Sequence, residues 1–394
     1  MGADPEGFNA FAVTDSVMRR YAPDVFGSFS DIISSVSSRE GAAIIRGPEH
    51  EGVALLFLDL STRSSTGTFK DWVACLTIAS CVRSGCRRFI SQSSGNTANA
   101  LAYYAARAGV QVSILYPAES RYKINSDLAR QDGLTFVEVV GGEPMVKLCA
   151  EALEDATGLP WLPTLELQRA GNGLRADFVR DYLVKRGGSI DWHAQALSSA
   201  FGPLGFYGRM EDLVRSGDWP GRVPRFLGIQ QEAVSPFFER IYGRVSTSYD
   251  LRDVIEPTLF RSNPSDVLVN GVRGICESSQ GRISVLRNGE YYERREEAIH
   301  LLESAGLVAT RRMRPNGTIG ILEEAGLIAV VGVLHEIEQG TILPEETVLV
   351  ALTGGFFPRS DDLFEPELQI GRGEWRRSLD ELGRQLSSQA ASPH

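Results

Sequence analysis

From Val53 to Gly158, short apolar runs of strand length alternate with stretches whose apolar residues recur at helical spacing and stop at glycine. No other feature constrains the fold as much, because strands joined through helices pack side by side in one direction beneath a helical layer. The strand runs are Val53 to Leu60, Arg88 to Ser91, Val110 to Tyr116 and Thr135 to Val140. Helices are expected from Lys70 toward Gly85, then over Ala98 to Ala108, Asn125 to Gln131 and Pro144 to Ala156.

Between Leu159 and Ala176 the texture changes to proline, tryptophan, glycine and asparagine, which reads as a crossing into a second, larger domain. The pattern then resumes with a helix over Asp177 to Lys185 and a strand over Ala194 to Ala200, followed by a glycine-rich turn over Phe201 to Gly208 and a helix over Arg209 to Ser216. Ile319 to Gln339 reads as one long apolar helix, and Thr347 to Leu352 as a strand stopped by Thr353-Gly354-Gly355. The prediction is an α/β protein of two open, mostly parallel sheets flanked by helices, with an active site between a smaller and a larger domain. Residues 1–72 are expected to be a leading segment and part of the large domain, 73–165 the small domain, 166–358 the large domain and 359–394 a polar tail.

Within this frame Lys70 stands out. Of the 40 basic residues only Lys70, Lys123, Lys147 and Lys185 are lysines, leaving 36 arginines. A lysine inside the compact turn Ser64-Ser65-Thr66-Gly67-Thr68-Phe69-Lys70-Asp71 therefore hints at amine chemistry that a guanidinium cannot perform. The positive end of the following helix disfavours the protonated amine, and a free amine can form a Schiff base. Taken alone, the position is equally that of a surface lysine on a first helical turn.

Bulk properties narrow the partners. A formal net charge of −10 with no compensating basic block argues against nucleic acid and anionic membranes. No apolar run reaches the roughly 18 residues of a membrane helix, so a cytoplasmic protein is expected. Cys75, Cys81, Cys86, Cys149 and Cys276 show no metal-ligand spacing, which predicts no metal site and buried reduced thiols. His193 and His335 lack partners for a catalytic triad and read as structural.

Three further turns share the setting of the Lys70 turn. Ser93-Ser94-Gly95-Asn96-Thr97 offers hydroxyls and a helix N-terminus suited to a carboxylate or phosphate, and is also compatible with an ordinary cap by Asn96 or Thr97. Phe201 to Gly208 permits close backbone approach but lacks the spacing of a P-loop. Thr353-Gly354-Gly355 presents a hydroxyl, or simply ends a strand.

The order T-G-T-F-K-D, S-S-G-N-T-A, a strand-borne glycine loop, then L-T-G-G resembles the fold-type-II pyridoxal-phosphate enzymes, the tryptophan synthase β group, from about Gly41 to Phe356. Within that group it is similar to threonine synthase and most closely to cysteate synthase. The resemblance implies pyridoxal 5′-phosphate as cofactor, Lys70 as its Schiff-base lysine and proton carrier, and Asn96 at its phenolic oxygen. It implies Phe201, Gly202, Leu204 and Gly205 at its phosphate, although Pro203 supplies no N–H there. Thr353 would face the pyridine nitrogen, a pairing that accompanies replacement or elimination at the β or γ carbon. Ser93, Ser94, Gly95 and Thr97 would grip the substrate carboxylate, and Arg169 falls near a substrate-phosphate motif. The implied activity is β-replacement on a phospho-activated amino acid by a homodimer. Threonine synthase, a serine/threonine dehydratase and a catalytically inactive cofactor-binding regulator are the alternatives.

Overall fold

The structure, a computed structural model, describes residues 43–389 apart from 62, 63, 65, 94, 244–252, 261, 262, 308–310, 314–318, 322, 323, 355–364, 367, 372 and 374. Twelve strands and eleven helices follow in chain order among the described residues. They are β1 (Ala43–Arg46), β2 (Ala54–Asp59), α1 (Lys70–Ser84), β3 (Arg88–Gln92), α2 (Asn96–Ala108), β4 (Gln111–Pro117), α3 (Ser126–Ala129), β5 (Leu134–Val139) and α4 (Gly142–Thr157). Next come α5 (Leu165–Arg186), β6 (Trp192–Ala196), α6 (Phe201–Arg215), β7 (Arg225–Gln231), α7 (Pro236–Tyr242), α8 (Asp266–Ser279), β8 (Arg282–Leu286) and α9 (Asn288–Ser304). The chain closes with β9 (Arg311–Met313), β10 (Ile319–Ile321), α10 (Ala325–Glu338), β11 (Thr347–Leu352), β12 (Leu368–Ile370) and α11 (Trp375–Gln389). The described residues divide into two compact units, one formed by 43–69 and 172–354 and the other by 70–171 and 365–389.

The first unit is a six-stranded sheet in the order β1-β2-β11-β6-β7-β8, parallel except for β1 against β2. Strands β2, β6 and β11 are buried on both faces, as in a sheet covered on both sides. Helix α10, apolar almost all round, lies buried against β6, β7, β8 and β11. Gly332 lets it approach, since a Cβ there would sit 2.6 Å from Ile229 Cδ1. The second unit carries the parallel sheet β12-β5-β4-β3, with α4 packed on β3, β4 and β5, and α11 packed on α4. Two open, mostly parallel sheets flanked by helices are therefore the fold, as the alternation predicts. Cys75, Cys81, Cys149 and Cys276 are buried, and burial pushes the Cys149 and Cys276 thiols up to about 11, so they stay protonated.

Four expectations need correction. Phe201 to Gly208 is not a turn but the first two turns of α6; Pro203 falls at its third residue, where a helix has no intrahelical use for the N–H. Helix α5 starts at Leu165 rather than Asp177, because its glycines are contact points rather than breakers: a Cβ on Gly171 would lie 2.7 Å from Val73 Cα, and one on Gly173 3.3 Å from the Gly205 carbonyl oxygen. The stretch Ile319 to Gln339 splits into β10, paired antiparallel with β9, and α10. The expected polar tail contains β12 and α11, whose Leu379, Leu382 and Leu386 are buried. Ser94, Gly355 and the first forty-two residues lie outside the described residues.

The Gly171 contact reverses the usual sign of a helical glycine substitution. Replacing a mid-helix glycine by alanine ordinarily gains about 0.5–1 kcal/mol. Gly171→Ala is instead expected to lose roughly 1–3 kcal/mol through overpacking on Val73. Urea unfolding followed by circular dichroism checks this; a variant as stable as the parent would refute it.

Candidate active site

Strands β2, β11 and β6 are neighbours and run parallel, so the loops that follow them leave the same edge of the sheet. After β2 comes the buried turn of Ser64, Thr66 and Thr68, which leads into Lys70. It is tied to the loop after β11: the Phe69 N–H donates to the Thr353 carbonyl at 3.0 Å, the Thr68 hydroxyl donates to the same oxygen at 3.3 Å, and Thr68 pairs with Gly354 as an isolated antiparallel bridge. Lys70 is the first residue of α1, one peptide bond beyond Phe69 and next to the buried Asp71. Thr353 is itself buried. After β6, Ala200 takes a left-handed backbone, φ 65°, and α6 begins with no side-chain cap on its first N–H groups.

Behind that helix start lies a residue that the sequence reading passed over. Arg175 of α5 is fully buried. Its Nε donates to the Asn172 carbonyl at 3.2 Å and its Nη1 donates to Gln195 Oε1 at 3.1 Å, while Nη2 has no partner among the described residues. Its guanidinium lies 5.2 Å from the centre of the Phe69 ring. A Cβ on Gly202 would meet Arg175 Nη2 at 3.0 Å and Gln195 Nε2 at 2.5 Å. Asn172, Arg175, Val179 and Leu183, spaced three and four apart, are all buried, so a helix drawn back to Leu165 would have put Arg175 on its inner face.

In the other unit, the turn between β3 and α2 is organised by Ser93. Its hydroxyl oxygen accepts from the N–H of Gly95 at 3.1 Å and of Ala98 at 2.7 Å. Neither Asn96 nor Thr97 is therefore the cap: Gly95, at φ 130°, holds the cap position and Ser93 supplies the oxygen. Gly95 must be glycine here, since a Cβ would lie 2.6 Å from Lys123 Cβ. Lys123 is buried, and its carbonyl accepts from the Asn99 side chain at 2.7 Å. Arg121 is committed to buried Glu138 by a two-pronged ion pair; burial opposes the carboxylate charge, but hydrogen bonds from Arg121 and Gln369 hold its pKa below the usual range. Arg169 is exposed on α5.

The chain matches the model of the pyridoxal-phosphate dependent enzymes over residues 43–354. It belongs to that family. It is 22% identical over 331 residues to a cysteate synthase of Methanoregula boonei, covering 79% of this chain and 72% of the relative, and 26% identical over 287 residues to one of Methanosphaerula palustris, covering 68% and 61%. The chain thus spans less than two thirds of the second relative. The serine racemase of maize superposes with a TM-score of 0.60 at 15% identity, over 84% of this chain and 95% of that one, and so shares the fold. The cofactor is pyridoxal 5′-phosphate, and the residues fit it. Lys70 is a primary amine at a helix start, Thr353 a buried hydroxyl, and the uncapped start of α6 an anion cradle that a Cβ on Gly202 would fill.

His193, on β6, sits 4.3 Å from the Phe206 ring centre, with neither ring nitrogen hydrogen-bonded among the described residues. Burial and then the charge of Arg175 push its pKa down to about 3. It is structural, as its lack of triad partners suggests, and neutral in the folded protein. The unfolded chain takes up this proton below about 6.5, so stability present above that pH is lost progressively as pH falls toward 3, by a few kcal/mol at most. His193→Phe is expected to flatten the fall in urea midpoint between pH 6 and 4; an unchanged pH slope would refute the assignment.

Proposed function

We propose that this enzyme catalyses β-replacement on a phospho-activated amino acid, in the manner of a cysteate synthase. The observation that carries the reading is the Lys70 turn hydrogen-bonded to the Thr353 turn in a chain whose relatives include cysteate synthases. When bound, the cofactor acts as an electron sink for bonds at the substrate's α-carbon. Lys70 holds it through the side-chain amine and then carries the α-proton. Thr353 would face the ring nitrogen with a hydroxyl rather than a carboxylate, which would leave that nitrogen largely unprotonated. The first-turn backbone of α6, from Phe201 and Gly202 through Leu204 and Gly205, takes the cofactor phosphate. Asn96 donates to the phenolic oxygen, and the turn of Ser93, Ser94, Gly95 and Thr97 binds the substrate carboxylate. A homodimer is the expected assembly.

Two experiments test this reading. Incubation with phosphoserine and sulfite should release phosphate and yield cysteate; threonine formed from phosphohomoserine would assign a threonine synthase instead, and a 2-oxo acid formed from unphosphorylated serine or threonine a dehydratase. Lys70→Ala should abolish both turnover and the visible absorbance of the purified protein. The phosphate cradle is tested by Gly202→Ala, which should weaken cofactor binding by about tenfold or more, ~1.4 kcal/mol; unchanged affinity in equilibrium titration would place the phosphate elsewhere.

A further inference from the structure

We propose that Arg175 is the cation that receives the cofactor's phosphate at the N-terminus of α6. The proposal rests on the cofactor site described above and adds a residue that neither the sequence motifs nor the glycine loop supplies. Three observations carry it.

The first is an unmatched charge. A buried ion is costly unless paired, and the buried carboxylates of Glu138 and Asp177 show such pairing. Glu138 has Arg121 and Gln369, and Asp177 receives both prongs of Arg209 at 2.9 and 2.8 Å. Arg175, with no exposed surface, has two neutral acceptors, a backbone carbonyl and an amide oxygen, and one nitrogen left over. No carboxylate among the described residues pairs with it.

The second is direction. The leftover Nη2 points at the space where a side chain on Gly202 would be, and the amide nitrogen of Gln195 points at the same space. Because Gln195 Oε1 accepts from Arg175, its nitrogen is the outward donor. Donors from two side chains thus converge on the second residue of α6.

The third is the field. The first turn of a helix carries partial positive charge and favours anions, so a cation held there is disfavoured unless an anion stands between. The 15-residue α6 has no side-chain cap and no acidic residue in its first turn to play that part. A phosphate monoester dianion resolves all three: it accepts from Nη2, from the Gln195 amide and from the helix N–H groups at once.

Arg175→Met tests the proposal, since it keeps side-chain bulk and removes the charge. Apoenzyme is titrated with pyridoxal 5′-phosphate and with pyridoxal, which lacks the phosphate. A charge-assisted hydrogen bond of this kind corresponds to roughly 10- to 100-fold in affinity. The preference for the phosphorylated cofactor should fall by about that factor in Arg175→Met and by less in Arg175→Lys, with pyridoxal affinity unchanged. Inorganic phosphate should raise the melting temperature of the parent apoenzyme and not that of Arg175→Met, whose own apo melting temperature should equal or exceed the parent's.

An unchanged cofactor preference in Arg175→Met overturns the proposal. So does a variant that cannot fold without cofactor, because the guanidinium would then be a structural tie. If only the KM for a phosphorylated amino acid rises, the anion belongs to the substrate and the proposal fails. A parent apoenzyme that binds neither form of the cofactor would sink the underlying reading of the site instead.

Discussion

The insertion of β11 between β2 and β6 is the constraint on which the rest depends. Its register runs from Thr347 opposite Ala54 to Leu352 opposite Asp59 on one side, and from Val348 opposite Trp192 to Val350 opposite Ala194 on the other. Parallel pairing makes the three following loops leave one edge. A shift of β11 by two residues would keep its faces the same way round yet carry Thr353 about 7 Å along the strand. The Phe69 N–H and the Thr68 hydroxyl would both lose the Thr353 carbonyl, and the backbone leading to Lys70 would lose its anchor. Register is held by apolar side chains on both faces, with α10 on one of them. Packing in the core thus fixes the backbone of Thr68 and Phe69.

Two helix starts in this protein solve the same problem differently. Both α2 and α6 begin with a glycine pressed against a long basic side chain: Gly95 on Lys123, Gly202 on Arg175. In α2 a serine just before the helix supplies the capping oxygen. In α6 no side chain does so, and Pro203 removes one of the N–H groups that would otherwise need a partner. An uncapped first turn beside a guanidinium is destabilising in isolation, and an anion placed there would relieve that cost.

Much of this was legible in the sequence, and the rest was hidden for identifiable reasons. Strand-length apolar runs and glycine stops marked β2, β3, β4, β5 and β11 correctly, because parallel strands buried on both faces read as continuous hydrophobic runs. The glycines of α5 and α6 misled, since glycine breaks a helix by propensity but is also what permits backbone contact, and only the partner's position tells the two apart. Arg175 was missed because the helix carrying it was begun too late to show which face it occupied. The cap left open between Asn96 and Thr97 is instead the hydroxyl of Ser93, a serine before the helix that reaches in over the glycine. Segregation of β12 and α11 from the polar tail needed their buried leucines, which are sparse in a charged sequence.

The Ser93 turn shows how a cap can leave a donor to spare. A hydroxyl has one proton and two acceptor lone pairs, and here the Gly95 and Ala98 N–H groups engage the oxygen as acceptor. The proton that remains can only be donated. Beside it, the first-turn N–H groups of α2 have no partner within the helix, and the buried stem of Lys123 lies against Gly95. Around Ser93 itself the groups left over are thus donors: its own hydroxyl proton and the first-turn N–H groups. The turn therefore satisfies its own helix start through the oxygen of Ser93 and keeps the hydroxyl proton of Ser93 for a further acceptor.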